Sequence, residues 1–336
     1  MKAEPRPGIE VRDVSVPPLR DGYALLQVKA CGICGSDVHI YEWTHGYEVM
    51  TPFLPVILGH EFAGEVIAVG SGDSDVQAGD RVIAGPRRLQ GGPLRRPPPG
   101  RERPPFTGPF AGEGMAEYAL VASDRLWTLP GPVSVEVGAL CEPLAVAMNA
   151  VRLSQILPGE QAVILGPGPI GLLTLLSLKA AGVYVVMTGT AADTQRLGLA
   201  KRLGADLILN VDEDNPVSTI LRATDGQGVD VVFEATGVPA TIQQGVDLVR
   251  RGGKVVAIGI HPSPASINLR DVVRGEKQIL GAYSGTLSVW IRGLALLTRG
   301  LIRPEPLISH RLPLAAAVKG FDLAASREGI KILFTP

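Results

Sequence analysis

Several features that mark specialised proteins are scarce in this chain of 336 residues. It has only three cysteines, Cys31, Cys34 and Cys141, too few for a framework of disulfides. Basic and acidic residues nearly cancel, 32 against 33, and the net charge of -1 gives no overall attraction to nucleic acid or acidic membranes. Neither a signal peptide nor an apolar run of membrane-spanning length is visible, which predicts no membrane contact and a cytoplasmic protein.

What is present is the composition of a large globular enzyme. Hydrophobic residues make up 46% of the chain and charged residues 19%, which is far from the composition of a disordered segment. The length exceeds what a single hydrophobic core usually fills, so we expect two domains. Chemistry on a small molecule is therefore the expected class of function.

The rhythm of the apolar residues changes midway along the chain. Residues 9–30 and 61–84 carry short valine, isoleucine and leucine runs broken by glycine, proline and aspartate, which is typical of a β-rich domain. In the later part, strand-like and helical patterns alternate, which predicts a doubly wound parallel sheet with helices on both faces. We predict an α/β protein whose β-rich domain comprises residues 1–149 and 286–336, with the parallel-sheet domain at 150–285.

Two short segments contain the residue types that bind catalytic zinc. Cys34 lies in a Cys-Gly-Ile-Cys-Gly-Ser-Asp segment, and His60 and Glu61 follow a glycine. One thiolate, one imidazole and one carboxylate suit zinc and can leave a coordination position open, whereas a closed structural site uses four ligands, mostly cysteine. Alone, Cys34 could be a core cysteine and His60 a structural histidine. Their occurrence together favours a metal site.

A glycine motif predicts a dinucleotide site. Gly166-Pro167-Gly168-Pro169-Ile170-Gly171 follows the apolar run from Ala162 to Leu165 and opens a helical pattern. A strand, a glycine turn and a helix in that order bind the pyrophosphate of a dinucleotide. Zinc and a dinucleotide together favour the oxidation of alcohols.

Six segments resemble, in family order, the zinc-dependent medium-chain alcohol and polyol dehydrogenases, which include sorbitol, butanediol and threonine dehydrogenases. They are Gly32–Asp37, Gly59–Glu61, Gly79–Val82, Met115–Tyr118, Glu142–Ala145 and the glycine turn. The resemblance covers nearly the whole chain. It implies a GroES-like β-rich catalytic domain, a Rossmann domain, one catalytic zinc per chain, NADP or NAD as cofactor and a homo-oligomer, either dimer or tetramer.

The resemblance also implies the metal ligands. Cys34 and His60 correspond to the first two zinc ligands, and Glu61 to an adjacent glutamate that ligates the metal or exchanges with water. Glu142 corresponds to a glutamate that ligates zinc directly or through water in polyol dehydrogenases, although backbone donors could instead hold it. We expect its neighbour Cys141 to be a small buried hydrophobe.

A proton must leave the alcohol when it is oxidised. Ser36 and His39 correspond to the family's relay, in which a hydroxyl takes the proton and an imidazole near solvent receives it. The alternative is that His39 only lines the rim of the site. His45, His261 and His310 lack such a context, and we expect them to be surface or structural residues.

The choice between NADP and NAD depends on the residues after the second strand of the dinucleotide domain. NAD enzymes usually place an acid there for the ribose diol, but this chain has Gly189 and Thr190. Arg196 could contact a 2′-phosphate, while Asp193 lies late and is expected to belong to the next helix. NADP is favoured and NAD remains open. Four further residues are expected beside the nicotinamide half, namely Thr236, Ile258, Gly259 and Ile260.

The chain departs from the family in one internal segment and at its start. Residues 86–105 have none of the four cysteines that commonly bind a structural zinc, so we expect no second zinc. Arginine, proline and glycine dominate there, with no aromatic residues to stack on bases, and nucleic acid is not expected to bind. The chain begins close to Ile9, where relatives have an earlier strand, and we expect a shortened start.

The substrate is expected to be a small alcohol. We predict a secondary alcohol or polyol, with L-threonine as the alternative because residues 39–43 resemble threonine dehydrogenases. A zinc-free quinone or enoyl reductase would keep the glycine turn but lack the zinc ligands. A nucleotide-binding protein without dehydrogenase activity would have no use for Ser36 and His39.

Overall fold

The computed structural model describes residues 1–72, 74–87 and 112–336, and the chain divides into two compact units. Unit 1 comprises Met1–Glu142, Trp290–Thr298 and Leu307–Pro336, and unit 2 comprises Pro143–Val289 and Arg299–Pro306. The α/β fold class predicted from the sequence is confirmed. The predicted domain limits at 149/150 and 285/286 stay a prediction.

The strands of the described residues are numbered along the chain. They are β1 (Tyr23–Gly32), β2 (Glu61–Val69), β3 (Arg81–Ala84), β4 (Tyr118–Ala122), β5 (Leu126–Thr128), β6 (Gln161–Leu165), β7 (Tyr184–Gly189), β8 (Leu207–Asn210), β9 (Val229–Glu234), β10 (Val249–Ala257), β11 (Gln278–Gly281), β12 (Ile308–Pro313) and β13 (Lys331–Thr335).

The helices are numbered in the same way. They are α1 (Gly35–Glu42), α2 (Val135–Ala139), α3 (Cys141–Ser154), α4 (Pro169–Ala180), α5 (Thr194–Arg202), α6 (Pro216–Ala223), α7 (Pro239–Leu248), α8 (Leu269–Arg274), α9 (Leu287–Thr298) and α10 (Ala317–Ala325). Short 3₁₀ helices occur at Glu48–Phe53, Ser123–Arg125, Ala191–Asp193, Glu305–Leu307 and Leu314–Ala316.

Unit 1 is built on a sheet with the strand order β12-β13-β1-β2-β3-β5, in which β4 also pairs with β1. The first residues of β1 alternate between partly buried and buried, the pattern of a strand with one face on a core. At the end of β1, Gly32 pairs with Glu61 of β2 and with Leu333 of β13. This register brings the starts of β2 and β13 to the end of β1.

Unit 2 contains a sheet with the order β11-β10-β9-β6-β7-β8, and all its strand pairs are parallel. Its strands are rich in buried valine, isoleucine and leucine, as expected of parallel strands buried on both faces. The order reverses at β6, since β7 and β8 continue on one side of it and β9 and β10 on the other. Ligands of such sheets bind at this switch point, beyond the carboxyl ends of the strands.

Candidate active site

Three of the predicted metal ligands lie together in unit 1. One side-chain atom each of Cys34, His60 and Glu61 falls in a group whose members all lie within 4.8 Å of one another. Cys34 precedes α1, whereas His60 and Glu61 lead into β2. The strand pairing described above therefore brings together donors that are 26 and 27 positions apart in sequence.

Asp37 joins the two ligand-bearing segments, and the sequence reasoning did not single it out. Its carboxylate is fully buried and accepts hydrogen bonds from the backbone N–H of Cys34 at 3.0 Å and of Gly59 at 3.3 Å. An acidic residue three positions after a helix N-cap often bonds back to the cap. Cys34 is the N-cap of α1, so this spacing was the available signal.

Glu61 is held from the opposite side by a buried lysine. Lys331 Nζ lies 2.9 Å from Oε1 and 2.6 Å from Oε2 of Glu61, and it also donates to the carbonyl of Ile33 at 2.9 Å. Gly32 leaves room for this carboxylate, because a Cβ at that position would overlap Oε2. Burial lowers the pKa of Lys331, but Glu61 and Cys34 raise it by more, so the amine is held charged.

The surroundings of His60 are strongly negative. Burial lowers its pKa, yet Asp37 and Cys34 together raise it well above its usual range. Nδ1 of His60 is buried, has no hydrogen-bond partner among the described residues, and lies 3.8 Å from Asp37 Oδ1. An unpartnered imidazole nitrogen beside a thiol and a carboxylate fits a bound zinc ion in donor type and in charge.

Glu142 and Cys141 begin helix α3 and differ in their surroundings. The pKa of Glu142 is raised to about 7, chiefly by burial; Glu61 and Asp37 also raise it, and His60 and Lys331 oppose the shift. Glu142 is therefore near the cluster electrostatically, but it is not in the 4.8 Å group found among the described residues. Cys141 is buried as expected, and burial raises its pKa to about 12.

The two predicted relay residues lie on helix α1. Ser36 and His39 are three positions apart, which places them on the same side of the helix. His39 Nδ1 lies 3.2 Å from Thr44 Oγ1, and its ring stacks on Tyr47 with centroids 5.6 Å apart. These contacts fix the orientation of the imidazole at the end of α1.

The predicted glycine turn connects β6 to α4 in unit 2. Gly166 has φ +98°, a left-handed conformation that favours glycine, and Pro169 occupies the first turn of α4 after the N-cap Gly168. Gly171 packs so closely on the turn that a Cβ would overlap Gly166 O. Gly168 differs, because a Cβ there would meet nothing within 4 Å. An open space therefore lies before the N-terminus of α4. Ile170 is the second residue of this helix.

The two residues at the end of β7, Gly189 and Thr190, are not acidic. Gly189 packs against Pro167, and Thr190 follows it. Asp193 Oδ2 accepts from both the backbone N–H and the hydroxyl of Thr190, at 3.1 and 2.8 Å. Arg196 lies against the same carboxylate, with Nη1 3.9 Å from Oδ1.

At the ends of β9 and β10, Glu234 organises the residues predicted beside the nicotinamide. Its Oε1 accepts from the backbone N–H of Thr236 and Gly237, and its main-chain carbonyl accepts from the N–H of Ile258 and Gly259. Ile260, which follows, is 51% exposed. The sequence reasoning missed Glu234, although an acid that ends the apolar run of β9 was a signal.

Residues 86–105, where no second zinc is expected, lie almost wholly outside the described residues, which omit 88–111. Within the described part of the chain, no helix combines the length and the apolar composition needed to span a membrane.

Comparisons with known proteins agree with this geometry. The family model of the alcohol dehydrogenase GroES-like domain matches residues 20–131, and that of the zinc-binding dehydrogenase matches residues 169–299. A D-arabitol-phosphate dehydrogenase of Enterococcus avium is 32% identical over 336 residues, covering 96% of this chain and 92% of that protein. An L-threonine 3-dehydrogenase of Pyrococcus abyssi (strain GE5 / Orsay) is 34% identical over 331 residues, covering 96% and 91%.

A solved structure shows the same architecture. The crystal structure of 2R,3R-butanediol dehydrogenase from Bacillus subtilis aligns with a TM-score of 0.86 and 32% identity, covering 99% of this chain and 98% of that one. The GroES-like and parallel-sheet fold classes predicted from the sequence are thereby confirmed.

Proposed function

Because this chain belongs to the family of zinc-dependent medium-chain alcohol and polyol dehydrogenases, we propose that it oxidises a secondary alcohol or polyol at the site of Cys34, His60 and Glu61. The reaction is hydride transfer between the alcohol and a nicotinamide cofactor. The observation that carries the proposal is the convergence of a thiol, an imidazole and a carboxylate within 4.8 Å.

The metal would be held by Cys34 and His60, with Glu61 or Glu142 as a further ligand directly or through water. When bound, zinc supplies a Lewis acid that polarises the substrate oxygen. Asp37 fixes the positions of Cys34 and of the loop before His60 through its backbone hydrogen bonds. These contacts pre-organise the donors.

Ser36 and His39 are proposed to carry the proton that the alcohol loses. The hydroxyl of Ser36 accepts it, and the imidazole of His39 releases it towards solvent. Thr44 and Tyr47 hold the ring of His39 in one orientation. An oriented imidazole is effective in proton transfer because little reorganisation precedes the step.

We propose that NADP is used at least as well as NAD. Oδ2 of Asp193 accepts from Thr190, so this carboxylate is engaged within the chain and not held out to a ribose diol. Nη1 of Arg196 lies 3.9 Å from Oδ1 of Asp193, and the guanidinium offsets part of the repulsion between this carboxylate and a 2′-phosphate. One group opposes the proposal, because Asp212 accepts from the backbone N–H of Ala191 at 2.8 Å and places an exposed carboxylate beside the same turn. Asp212→Asn is therefore expected to increase the preference for NADP in kcat/KM.

The substrate is proposed to be a diol or polyol, with L-threonine as the second candidate. The relatives named above include a sugar-alcohol phosphate dehydrogenase and a threonine dehydrogenase. A carboxylate substrate would need a cation, and the buried amine of Lys331 is already bound to Glu61. The polyol class is therefore preferred.

A dehydrogenase screen tests the proposal. Polyols, diols, secondary alcohols and L-threonine are each offered with NADP and with NAD, on protein of known zinc content, and the reduced cofactor is followed at 340 nm. We expect turnover of a polyol or diol that requires zinc. Cofactor binding without turnover would support a silent nucleotide-binding protein, and zinc-independent reduction of quinones or enones would support the reductase alternative.

The chain is also proposed to be a cytoplasmic homo-oligomer, either dimer or tetramer, that contacts neither nucleic acid nor membrane. Strand β11 is the last strand of its sheet among the described residues, and close to it in sequence Leu269, Val273 and Tyr283 are 66, 73 and 73% exposed. Exposed apolar residues beside an open strand edge favour association. Light scattering after gel filtration measures the oligomeric state.

A further inference from the structure

Two ionisable side chains meet at one edge of the unit 2 sheet, outside the proposed zinc site. Glu234 ends β9, and His261 follows the end of β10 by four positions. His261 Nε2 lies 3.4 Å from Glu234 Oε2. Both atoms are buried, and neither has a hydrogen-bond partner among the described residues.

The carboxylate of Glu234 is fixed in place. The side chain is 0% exposed, and its Oε1 accepts from the backbone N–H of Thr236 at 2.7 Å and of Gly237 at 3.0 Å. Thr241 Oγ1 adds a contact at 3.0 Å. With Oε1 fully occupied, Oε2 is the oxygen that remains for His261.

The backbone is shaped to bring the two residues together. At Gly259, a Cβ would lie 2.7 Å from Glu234 Oε2, so only glycine permits this approach. His261 itself is partly accessible, since its side chain is 17% exposed. Its other nitrogen, Nδ1, makes no hydrogen bond within the described chain and, unlike Nε2, is not buried. One ring nitrogen therefore faces the fixed carboxylate and the other is available to a ligand.

The position of the pair relative to the glycine turn indicates which ligand it meets. In a doubly wound sheet the pyrophosphate lies at the turn after the first strand, and the adenosine ribose lies at the end of the second. Here those strands are β6 and β7, so the adenosine half lies on the β7 side. The nicotinamide half consequently extends over the ends of β9 and β10, where Glu234 and His261 lie.

We propose that His261 is a cofactor-binding residue that contacts the nicotinamide half of the dinucleotide through Nδ1, and that Glu234 is the positioning residue that holds its ring. The contact is a hydrogen bond to a ribose hydroxyl or to the carboxamide. This inference rests on the proposed function, because it requires that a nicotinamide dinucleotide binds at the glycine turn.

The test compares three ligands that share the adenosine half and differ at the other end. Binding of the reduced cofactor is measured by its fluorescence, and binding of ADP-ribose and of AMP by calorimetry, each with its 2′-phosphate if NADP is preferred. For His261→Ala we expect the Kd of the reduced cofactor to rise about three- to tenfold, as for the loss of one hydrogen bond. The Kd of AMP should not change.

ADP-ribose identifies the group contacted, since it has the ribose but no carboxamide. If the variant has a higher Kd for ADP-ribose, His261 contacts the ribose. If that Kd is unchanged, His261 contacts the carboxamide. His261→Asn, whose amide can replace Nδ1, should restore part of the affinity. Glu234→Gln should also raise the Kd of the reduced cofactor, as His261→Ala does. His45→Ala, on a histidine whose side chain is 89% exposed, is the control.

The possible failures are distinguishable. An equal rise in the Kd of all three ligands would show that His261 only maintains the fold. An unchanged Kd of the reduced cofactor would also refute the inference. In either case the proposed function is untouched if the wild-type protein binds the cofactor and turns over an alcohol. Wild-type protein that binds no nicotinamide dinucleotide would refute both.

Discussion

At the scale of single residues, the site in unit 1 depends on a cation that is distant in sequence. Lys331 is 2% exposed and Glu61 1%, and their charged groups lie 2.6 Å apart. Two further carboxyl groups, those of Glu142 and Asp37, lie nearby, and burial together with the negative charge of Glu61 raises the pKa of each. Lys331 therefore compensates a concentration of carboxylates that would otherwise repel one another in a poorly solvated place.

Removing this cation should destabilise the protein. In Lys331→Met the carboxylate of Glu61 is left buried without a partner, and breaking such a pair costs about 3–5 kcal/mol of unfolding free energy. Urea unfolding of the metal-free protein measures the loss. We expect a smaller loss in zinc-loaded protein, because a bound cation again compensates the carboxylates.

A surface ion pair provides the control for Lys331→Met. Arg311 donates to Glu136 at 2.7 Å, with side chains 50% and 31% exposed. Pairs of this kind contribute at most about 1 kcal/mol. If Lys331→Met lost no more stability than Arg311→Met, the buried pair would not have the role described.

The proposed proton relay ends in a single imidazole, that of His39. His39→Gln keeps all the proposed ligands, so zinc content and cofactor affinity should not change. Turnover should fall by roughly tenfold or more near neutral pH, because general base catalysis is lost. The deficit should shrink at high pH, where solvent base accepts the proton. A pH-rate profile identical to that of the wild type, with zinc retained, would make His39 a rim residue only.

At the scale of elements, the turn from β6 to α4 has two glycines that the fold requires and one that faces open space. Gly166 uses its positive φ and Gly171 its lack of a side chain, so both are needed by the fold itself. Gly168 has φ -70° and ψ 177°, a conformation that other residues adopt readily. The backbone therefore does not require glycine at this position, and the proposed approach of the dinucleotide supplies a reason for it.

Gly168→Val should therefore fold normally and bind the dinucleotide poorly. The valine would occupy the space that the pyrophosphate needs, and an overlap that costs about 1–3 kcal/mol corresponds to an increase in Kd of about five- to 150-fold. Cofactor titration and circular dichroism measure the two properties. Gly131→Val is a control, because a Cβ at Gly131 also meets nothing within 4 Å. Unchanged affinity in folded Gly168→Val would remove the turn from the proposed site.

The sequence allowed some elements to be predicted and not others, for physical reasons. The turn at 166–171 is local, and the spacing of glycine after an apolar strand is visible without any structure. The cluster of Cys34 with His60 could be predicted only from a motif that is specific to one family. Asp37 could have been found from its capping position, since that relation spans only three residues.

Lys331 and Glu234 were not predictable in the same way. Lys331 reaches Glu61 only because β13 pairs with β1, across a separation of 270 residues. No local pattern encodes such a pairing. Glu234 meets His261 because β9 and β10 are neighbours in the parallel sheet, and His261 had been expected to be surface or structural.

At the scale of the whole molecule, each unit supplies one part of the proposed reaction. Unit 1 carries the donors for zinc on segments beside β1 and β2, and unit 2 carries the dinucleotide turn at the switch point of its sheet. The proposed donors, the proposed proton relay and the glycine turn are all present in one chain. We therefore expect an enzyme whose turnover depends on one zinc ion per chain.

Zinc content determined by elemental analysis, in parallel with turnover, tests that dependence most directly. Wild-type protein and Cys141→Ala should each contain one zinc per chain, since the Cys141 thiol is buried beside the carbonyl of Val137. Folded Cys34→Ala should contain almost none and show no turnover. Full zinc content in Cys34→Ala, two zinc ions in the wild type, or alcohol oxidation by zinc-free protein would contradict the account.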